Sequence, residues 1–564
     1  MKKSRLLLFS FILFLFAAET ASAQIGWTKA YEKAVVVTAE KHASQIGKEI
    51  LQQGGNAVDA AVAVQFALAV TLPRAGNIGG GGFMVIHLND DTNTTLDYRE
   101  QAPAKAGPDM YIREGEYVPE LSREGVLAVG VPGVVDGMVK ALNRYGSMPL
   151  ETVMQPAIRL ARDGFELSWI QAQTLNSYRE TLLKYESSRS YFTKADNTLY
   201  KEGDLFIQKD LAETLERIAT EGRAGFYSGK TAHIIVKEME RHGGLITRKD
   251  LQNYESKWRQ PVQTEFRGYE LFIMPPPSSG SIAIAQMLEM MEPYDLKEMG
   301  YNTAEYVHLV TEAMRRAFAD RAYFLGDPDF VDIPRDTLLS KSYNDNRMES
   351  FQRYQASSSD SIGHGEVPGF RESTETTHFS IVDSAGNAVS VTTTLNGSFG
   401  SKVAVGGAGF FLNNEMDDFT AKPGEPNMFG LIQGKANAIA PGKRMLSSMS
   451  PAIVTKNDSV RMVIGAAGGP RIISATLHNF LNMAVFEMNA AEAISAPRFH
   501  HQWLPDKLYY EEFGISKNNR LLLRGMGHQL ETGSVGRAHI IHVDAKGMRH
   551  GAHDPGGNGA AEGF

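Results

Sequence analysis

Cysteine is absent from all 564 residues. That excludes a thiol nucleophile, a thiolate zinc or iron–sulfur site, a disulfide framework and a cysteine-borne lipid. Stability must come from core burial instead. There is no His-Glu-x-x-His pair for a metal and no Gly-x-Ser-x-Gly elbow of an ordinary serine hydrolase. Internal repeats and low-complexity segments are also missing. Positive charge is not in excess: 57 Lys and Arg stand against 65 Asp and Glu, a formal charge of −8. A mildly acidic surface argues against nucleic acid as a partner.

One apolar run stands near the start. Lys2, Lys3 and Arg5 precede Leu6–Ala18, and Ala21-Ser22-Ala23 follows. A basic region, a short apolar region and a small-residue cleavage site read as a signal peptide over residues 1–23. The run is shorter than the roughly 20 residues that span a bilayer, and no later stretch is long enough. The expectation is a mature chain starting near Gln24, periplasmic or secreted, without a membrane anchor.

Periodicity predicts a mixture of helices and strands. Ala43–Gln53 has helical spacing and stops at Gly54-Gly55. Asn56 with Asp59 resembles a cap on Val58–Val70, which is Ala/Val-rich on nearly all sides and so reads as a buried helix. Helices are also predicted over Gln208–Glu221, Thr231–His242, Ile282–Met291, Thr303–Leu325 and Pro470–Phe486. Strands are predicted over Phe83–Leu88, Thr94–Tyr98 and Met462–Ile464, with a hairpin of His378–Asp383 and Ala388–Leu395 and a tight turn at Ala466–Gly469. The polar, aperiodic stretch Ala356–Glu375 is the best linker candidate. Helices covering antiparallel sheets fit this order better than an all-parallel fold.

Thr376 lies between that linker and that hairpin. Cutting the Glu375–Thr376 bond would make it the first residue of a new chain, with a hydroxyl nucleophile and its own α-amine as base. An α-amine titrates at about 7.7–8, so it can take a proton near neutral pH. A threonine pair more often just opens a strand. Three features favour the chemical reading: the linker before it, the threonine-rich run Val391–Asn396 across the hairpin, and Gly468-Gly469 before a helix that opens with proline. Two glycines at the positive end of a helix can offer backbone N–H groups to an oxyanion.

Other groups are weaker signals. Ser447-Ser448, after Lys443-Arg444, could bond a carboxylate or merely cap a turn. Glu415, Asp417 and Asp418 could hold an ammonium or form a solvated loop. Arg99, at a strand end, could clamp a carboxylate bidentately. Gly76–Gly82 lacks the ending of a phosphate-binding loop, so close backbone packing explains it better. Pro275–Gly280 reads as a structural turn, His500-His501 as no metal pair, and His378 as a buried structural group.

The motifs Thr376-Thr377-His378-Phe379-Ser380, Asn413–Phe419, Leu446–Pro451 and Gly465–Pro470, supported by Asp97–Glu100 and Gly79–Phe83, resemble those of γ-glutamyltransferases over nearly the whole mature chain. The resemblance implies an α+β fold, the four-layer αββα sandwich of N-terminal nucleophile hydrolases, without cofactor or metal. It implies self-cleavage into a large subunit (24–375) and a small one (376–564) that stay together. Thr376 would be the nucleophile, Thr394 its hydrogen-bonding neighbour, and Gly468 and Gly469 the oxyanion hole. Arg99, Ser447 and Ser448 would receive the α-carboxylate of a γ-glutamyl donor such as glutathione. Asn396, Glu415 and Asp418 would receive its α-ammonium, and water, amino acids or peptides would accept the acyl group. Pro423–Gly434 resembles a lid loop, with Phe429 where many members carry tyrosine.

Overall fold

Two antiparallel sheets, back to back, form the middle of the molecule. The computed structural model describes residues 28–363, 376–422 and 424–564. The expected signal peptide and Glu375 lie outside the described residues. The first sheet runs in the order Ala560–Gly563, Val35–Thr38, Thr377–Val382, Ala388–Thr394, Gly81–His87, Asn93–Asp97 and Lys257–Arg259. The second runs Ala30–Tyr31, Arg549–His553, Arg537–Val543, Ser459–Ile464, Ala452–Lys456, Tyr269–Ile273 and Val262–Phe266. Both sheets take strands from either side of the 375/376 junction, so neither flank of that bond closes a sheet alone.

Period-two alternation decides which core each side chain joins. Val36, Met84 and Ile86 turn outward, onto helices Lys41–Gln52, Ala57–Thr71 and Val134–Tyr145. Their neighbours Val35, Val37, Phe83 and Val85 turn inward and meet Val454, Val463 and Ile541 of the second sheet. Helices Gly280–Met291, Ala304–Phe324 and Arg471–Ala484 complete that second core. The layers are therefore helix, sheet, sheet, helix, as the family resemblance implies. Strands covered on both faces carry apolar side chains without a polar face.

The predicted cap is present. Asn56 Oδ1 accepts from Val58 N at 2.9 Å and Asp59 N at 3.1 Å, while Asn56 N donates to Asp59 Oδ2 at 2.8 Å. This reciprocal box opens a helix buried at every position, Ala57–Thr71. The glycine run packs as expected. A Cβ on Gly80 would collide with Thr394 O, and one on Gly79 with Phe411 O.

Two expectations need correction. Ala466–Ala467 is a short strand paired with Arg537–Ala538, so the turn begins only at Gly468. Local sequence could not show this, because the partner lies far along the chain. The start of the linker candidate is not free either. Ala356 N donates to Met526 O at 2.7 Å, Ser359 is fully buried, and Ser359 N donates to Asp506 Oδ2 at 2.8 Å. Its polar residues satisfy buried charges rather than solvent.

Candidate active site

Strand register places the two threonines. Thr377 pairs with Thr393 across the hairpin, so Thr376 falls beside Thr394, and their hydroxyl oxygens are 3.5 Å apart. Thr394 Oγ1 accepts from Asn396 N at 2.7 Å. Thr394 keeps a second lone pair and its own O–H, so either threonine can donate to the other. Asn396 reaches back because it sits at φ +73°, a left-handed conformation that asparagine tolerates. Its Nδ2 donates to Asn414 O at 3.0 Å, tying the strand end to the acidic loop.

His378 is not a base at this site. Its ring lies between Thr392 Oγ1 at 2.9 Å and Ser380 Oγ at 3.1 Å, and Gly465 packs onto it. Burial holds its pKa well below the ordinary imidazole value.

Gly468 and Gly469 adopt φ +135° and +56°, just before helix Arg471–Ala484. Both conformations and both environments need glycine. A Cβ on Gly468 would come within 2.8 Å of Gly536 Cα, and one on Gly469 within 2.7 Å of the Phe429 ring. The ring of Phe429 thus lies over the glycine pair.

A narrow pocket gathers Thr376, Thr394, Asn396, Arg99, Glu415, Asp418, Ser447, Ser448, Gly469 and Phe429. Gly468 adjoins it without lining it. Arg321, Leu431, Met449 and Ile472 complete the wall and were not singled out from sequence.

The charges pair with one another. Arg99 Nη1 donates to Glu415 Oε1, and Nη2 to Asp418 Oδ2 at 2.5 Å. Its Nε and Nη2 also reach Met445 O and Leu446 O, both at 3.3 Å. Glu100 lies behind, 3.7 Å from Nη1. Burial lowers the Arg99 pKa, but the three acids outweigh it and hold the guanidinium charged. Burial raises all three carboxyls against the pull of Arg99: Glu415 well above its ordinary value, Glu100 to about 7 and Asp418 to about 6. Three acids crowd one guanidinium, so the set holds a proton readily. Glu415 Oε2 and both Glu100 oxygens have no hydrogen-bond partner.

The serine wall is held from behind. Ser279 N and Ser279 Oγ both donate to Ser447 O at 2.7 Å, and Ser278 Oγ to Met449 O at 2.6 Å. The Pro275–Gly280 turn therefore sets the position of Ser447 and Ser448. The 424–434 loop is wired to the acidic loop. Asn427 Nδ2 donates to Asp418 Oδ1 at 3.2 Å, and Met428 N to Asp417 Oδ2 at 2.8 Å. Pro423 lies outside the described residues.

Elsewhere, a second pocket is walled by Leu72, Phe165, Leu167, Ile170, Phe206 and Phe399. Its walls are mainly apolar and it shares no lining residue with the threonine pocket. His308, Glu312 and His528 bring metal-ligating atoms together. Both Glu312 oxygens are already engaged by Arg315 and Arg316, and His308 Nδ1 lies 2.8 Å from His528 Nε2, sharing a proton. Two arginines beside the carboxylate oppose a cation there. His500 bonds Ser474 and Gln502, while His501 bonds Asp506.

Comparison with known proteins agrees with this geometry. The γ-glutamyltranspeptidase family model matches residues 43–564. The glutathione hydrolase proenzyme of Escherichia coli (strain K12) is 45% identical over 527 residues, 93% of this chain and 90% of that protein. A cephalosporin acylase from Bacillus halodurans superposes with a TM-score of 0.85 at 26% identity, covering 95% of this chain and 97% of that one. A solved chain of Helicobacter pylori γ-glutamyltranspeptidase is 49% identical, with a TM-score of 0.57 over 58% of this chain and 94% of its own. No helix among the described residues is long and apolar enough to cross a membrane. With the family model spanning almost the whole chain and a relative this similar along its length, the chain belongs to the γ-glutamyltranspeptidase family.

Proposed function

We propose that this chain is a self-processing γ-glutamyltransferase and glutathione hydrolase that acts through Thr376. The carrying observation is the hydroxyl pair Thr376–Thr394 at one wall of a pocket whose other walls hold paired charges of both signs. In self-cleavage, Thr376 Oγ1 attacks the carbonyl of Glu375; collapse of the adduct breaks the peptide C–N bond and frees the Thr376 amine, and water then hydrolyses the resulting ester to free the Thr376 hydroxyl and the Glu375 carboxylate. The large and small pieces remain together because their strands alternate in both sheets.

In turnover, the freed amine takes the Thr376 hydroxyl proton while Oγ1 attacks the γ-carbonyl of the donor. The oxyanion meets the N–H groups of Gly468 and Gly469, and the leaving amine collects the proton. Water or an acceptor amine then attacks the γ-glutamyl ester. Thr394, held by Asn396 N, fixes the direction of the nucleophile.

Donor recognition is an exchange of ion pairs. Arg99 pairs with both Glu415 and Asp418. A γ-glutamyl zwitterion brings one charge of each sign, so its carboxylate turns to Arg99, Ser447 and Ser448 while its ammonium turns to Asn396, Glu415 and Asp418. The net charge of the pocket is conserved, which limits the desolvation cost. A glutaryl donor, the alternative suggested by the acylase likeness, brings only the negative charge and leaves two acids without a cation. Residues 1–23 would direct export.

The test is a denaturing gel with N-terminal sequencing. Wild type gives two bands, the smaller starting at Thr376, and Thr376→Ala gives one. An uncut wild type defeats the mechanism. Faster hydrolysis of glutaryl than of γ-glutamyl anilide by the mature protein defeats the donor assignment.

A further inference from the structure

Arg99 is the cation expected at this site, yet its guanidinium is spent on Glu415, Asp418 and two backbone carbonyls. A second guanidinium lines the same pocket. Arg321, on helix Ala304–Phe324, is only 2% exposed. Its Nε donates to Ser279 Oγ at 2.9 Å and its Nη2 to Ser448 Oγ at 3.2 Å. Its Nη1 is buried without a hydrogen-bond partner. A buried donor left unpaired costs free energy, and an anion arriving there would remove that cost.

The two bonds that Arg321 makes also orient its neighbours. Ser279 Oγ accepts from Nε and gives its own proton to Ser447 O, so the fork of the guanidinium is fixed. Ser448 Oγ accepts from Nη2. A hydroxyl has one proton, so that of Ser448 is directed away from Arg321. A hydroxyl whose oxygen accepts from a cation is also a stronger donor.

We propose that Arg321 is the second cation of the carboxylate subsite, resting on the γ-glutamyl reading above. Its Nη1 and the Ser448 hydroxyl take one oxygen of the donor's α-carboxylate, and Arg99 takes the other as the donor's ammonium relieves it of Glu415 and Asp418. Arg321 is thus available before any ion pair is broken and receives the carboxylate first. Two cations and two acids then face a ligand carrying one charge of each sign. Arg321 is a specificity-determining residue: it selects donors that bear a carboxylate on the α-carbon.

The experiment compares two anilides on the mature protein, γ-glutamyl and 4-aminobutanoyl, the latter lacking only the α-carboxylate. Wild type prefers the γ-glutamyl anilide strongly. In Arg321→Met, KM for γ-glutamyl anilide rises roughly ten- to a hundredfold, the worth of a lost charge-assisted hydrogen bond, while kcat changes little. The 4-aminobutanoyl reaction is unchanged, so the preference collapses by the same factor. Arg321→Lys keeps the charge without the fork and recovers part of it. Arg321→Gln, which keeps hydrogen-bonding groups without the charge, raises KM for γ-glutamyl anilide alone; it carries the test if Arg321→Met does not mature. Equal losses on both substrates, or an unchanged preference in the folded variants, overturn the proposal. A wild type that does not prefer the γ-glutamyl anilide overturns the underlying reading instead.

Discussion

The helix Ala304–Phe324 carries buried charge into two places, and they are built on opposite principles. Toward its middle, Glu312 is enclosed by Arg315, Arg316 and Ser357 N, and Asp506 by Arg315, His501 and Ser359 N. Every carboxylate oxygen there has a partner. At its end, Arg321 reaches the pocket, where Glu415 Oε2, both Glu100 oxygens and Arg321 Nη1 have none. Glu312 and Glu415 are equally inaccessible. Burial raises both carboxyls, but Arg315 and Arg316 outweigh it and bring Glu312 down to about 2, whereas Glu415 is left well above its ordinary value. Burial alone does not mark a ligand site. Here the unpaired atoms belong to charged groups of both signs gathered at one pocket, which a ligand carrying both charges would satisfy.

The largest expected effect breaks the closed cluster. Glu312→Gln leaves Arg315 and Arg316 without their carboxylate and costs about 3–5 kcal/mol of stability, read as a denaturant midpoint in the uncut Thr376→Ala background. Glu415→Gln removes one of three acids crowding one arginine, so stability changes by less than about 1 kcal/mol. Its cost falls on the donor: KM rises by up to about tenfold, because an amide oxygen still accepts from an ammonium but without charge. If the two variants are destabilised equally, the distinction between closed and open clusters is lost.

Acid should separate them with opposite signs. The Glu312 pKa is depressed in the fold, so its contribution to stability is complete above about 4.5 and is lost as pH falls toward 2. Asp418 is raised to about 6, so its contribution is complete below its ordinary 3.8 and is lost as pH rises through 6. On the proposed donor assignment, Asp418 must be ionised to meet an ammonium. KM for a γ-glutamyl donor is therefore expected to rise as pH falls through about 6, with little change in the melting temperature. Asp418→Asn should remove that rise and leave KM high throughout. A KM that stays flat between pH 7 and 5 in wild type would rule out Asp418 as an ammonium ligand.

The sequence makes one half of this picture legible and hides the other. Period-two and helical spacing locate the hairpin, the caps and most helices within a few residues, because those are local properties. Thr376, Gly468-Gly469 and the acidic loop are readable because chemistry there needs particular residue types in short motifs. Arg321 is not, since its helix mixes six charges, Glu305, Glu312, Arg315, Arg316, Asp320 and Arg321, with apolar residues, and spacing singles out none of them. A buried arginine needs partners, but the burial of Arg315, Arg316 and Arg321 is itself a tertiary fact. Which of the three faces an open pocket depends on Ser279 and Ser448, far apart in the chain. The mutual pairing of Arg99 with Glu415 and Asp418 is likewise a tertiary fact. Motif reading assigns these residues to opposite ends of a ligand, while the structure pairs them with each other.

The smallest effect concerns the loop that covers the open cluster. Asn427 Oδ1 accepts from Phe429 N at 3.0 Å and Leu431 N at 3.1 Å, and its Nδ2 reaches Asp418. One side chain therefore shapes the lid and fastens it to the acid wall. Asn427→Ala loses these bonds, each worth about 1 kcal/mol net and partly replaced by water once the loop opens. The expected result is faster amide exchange at Phe429 and Leu431, a KM rise of roughly threefold to tenfold, and an unaltered melting temperature. Exchange that does not change would mean that the packing of Phe429 on Gly469 and the reach of Gln502 Nε2 to Phe429 O at 3.4 Å suffice to hold the lid. In that case the aromatic ring, rather than the amide, fastens the loop to the glycine pair.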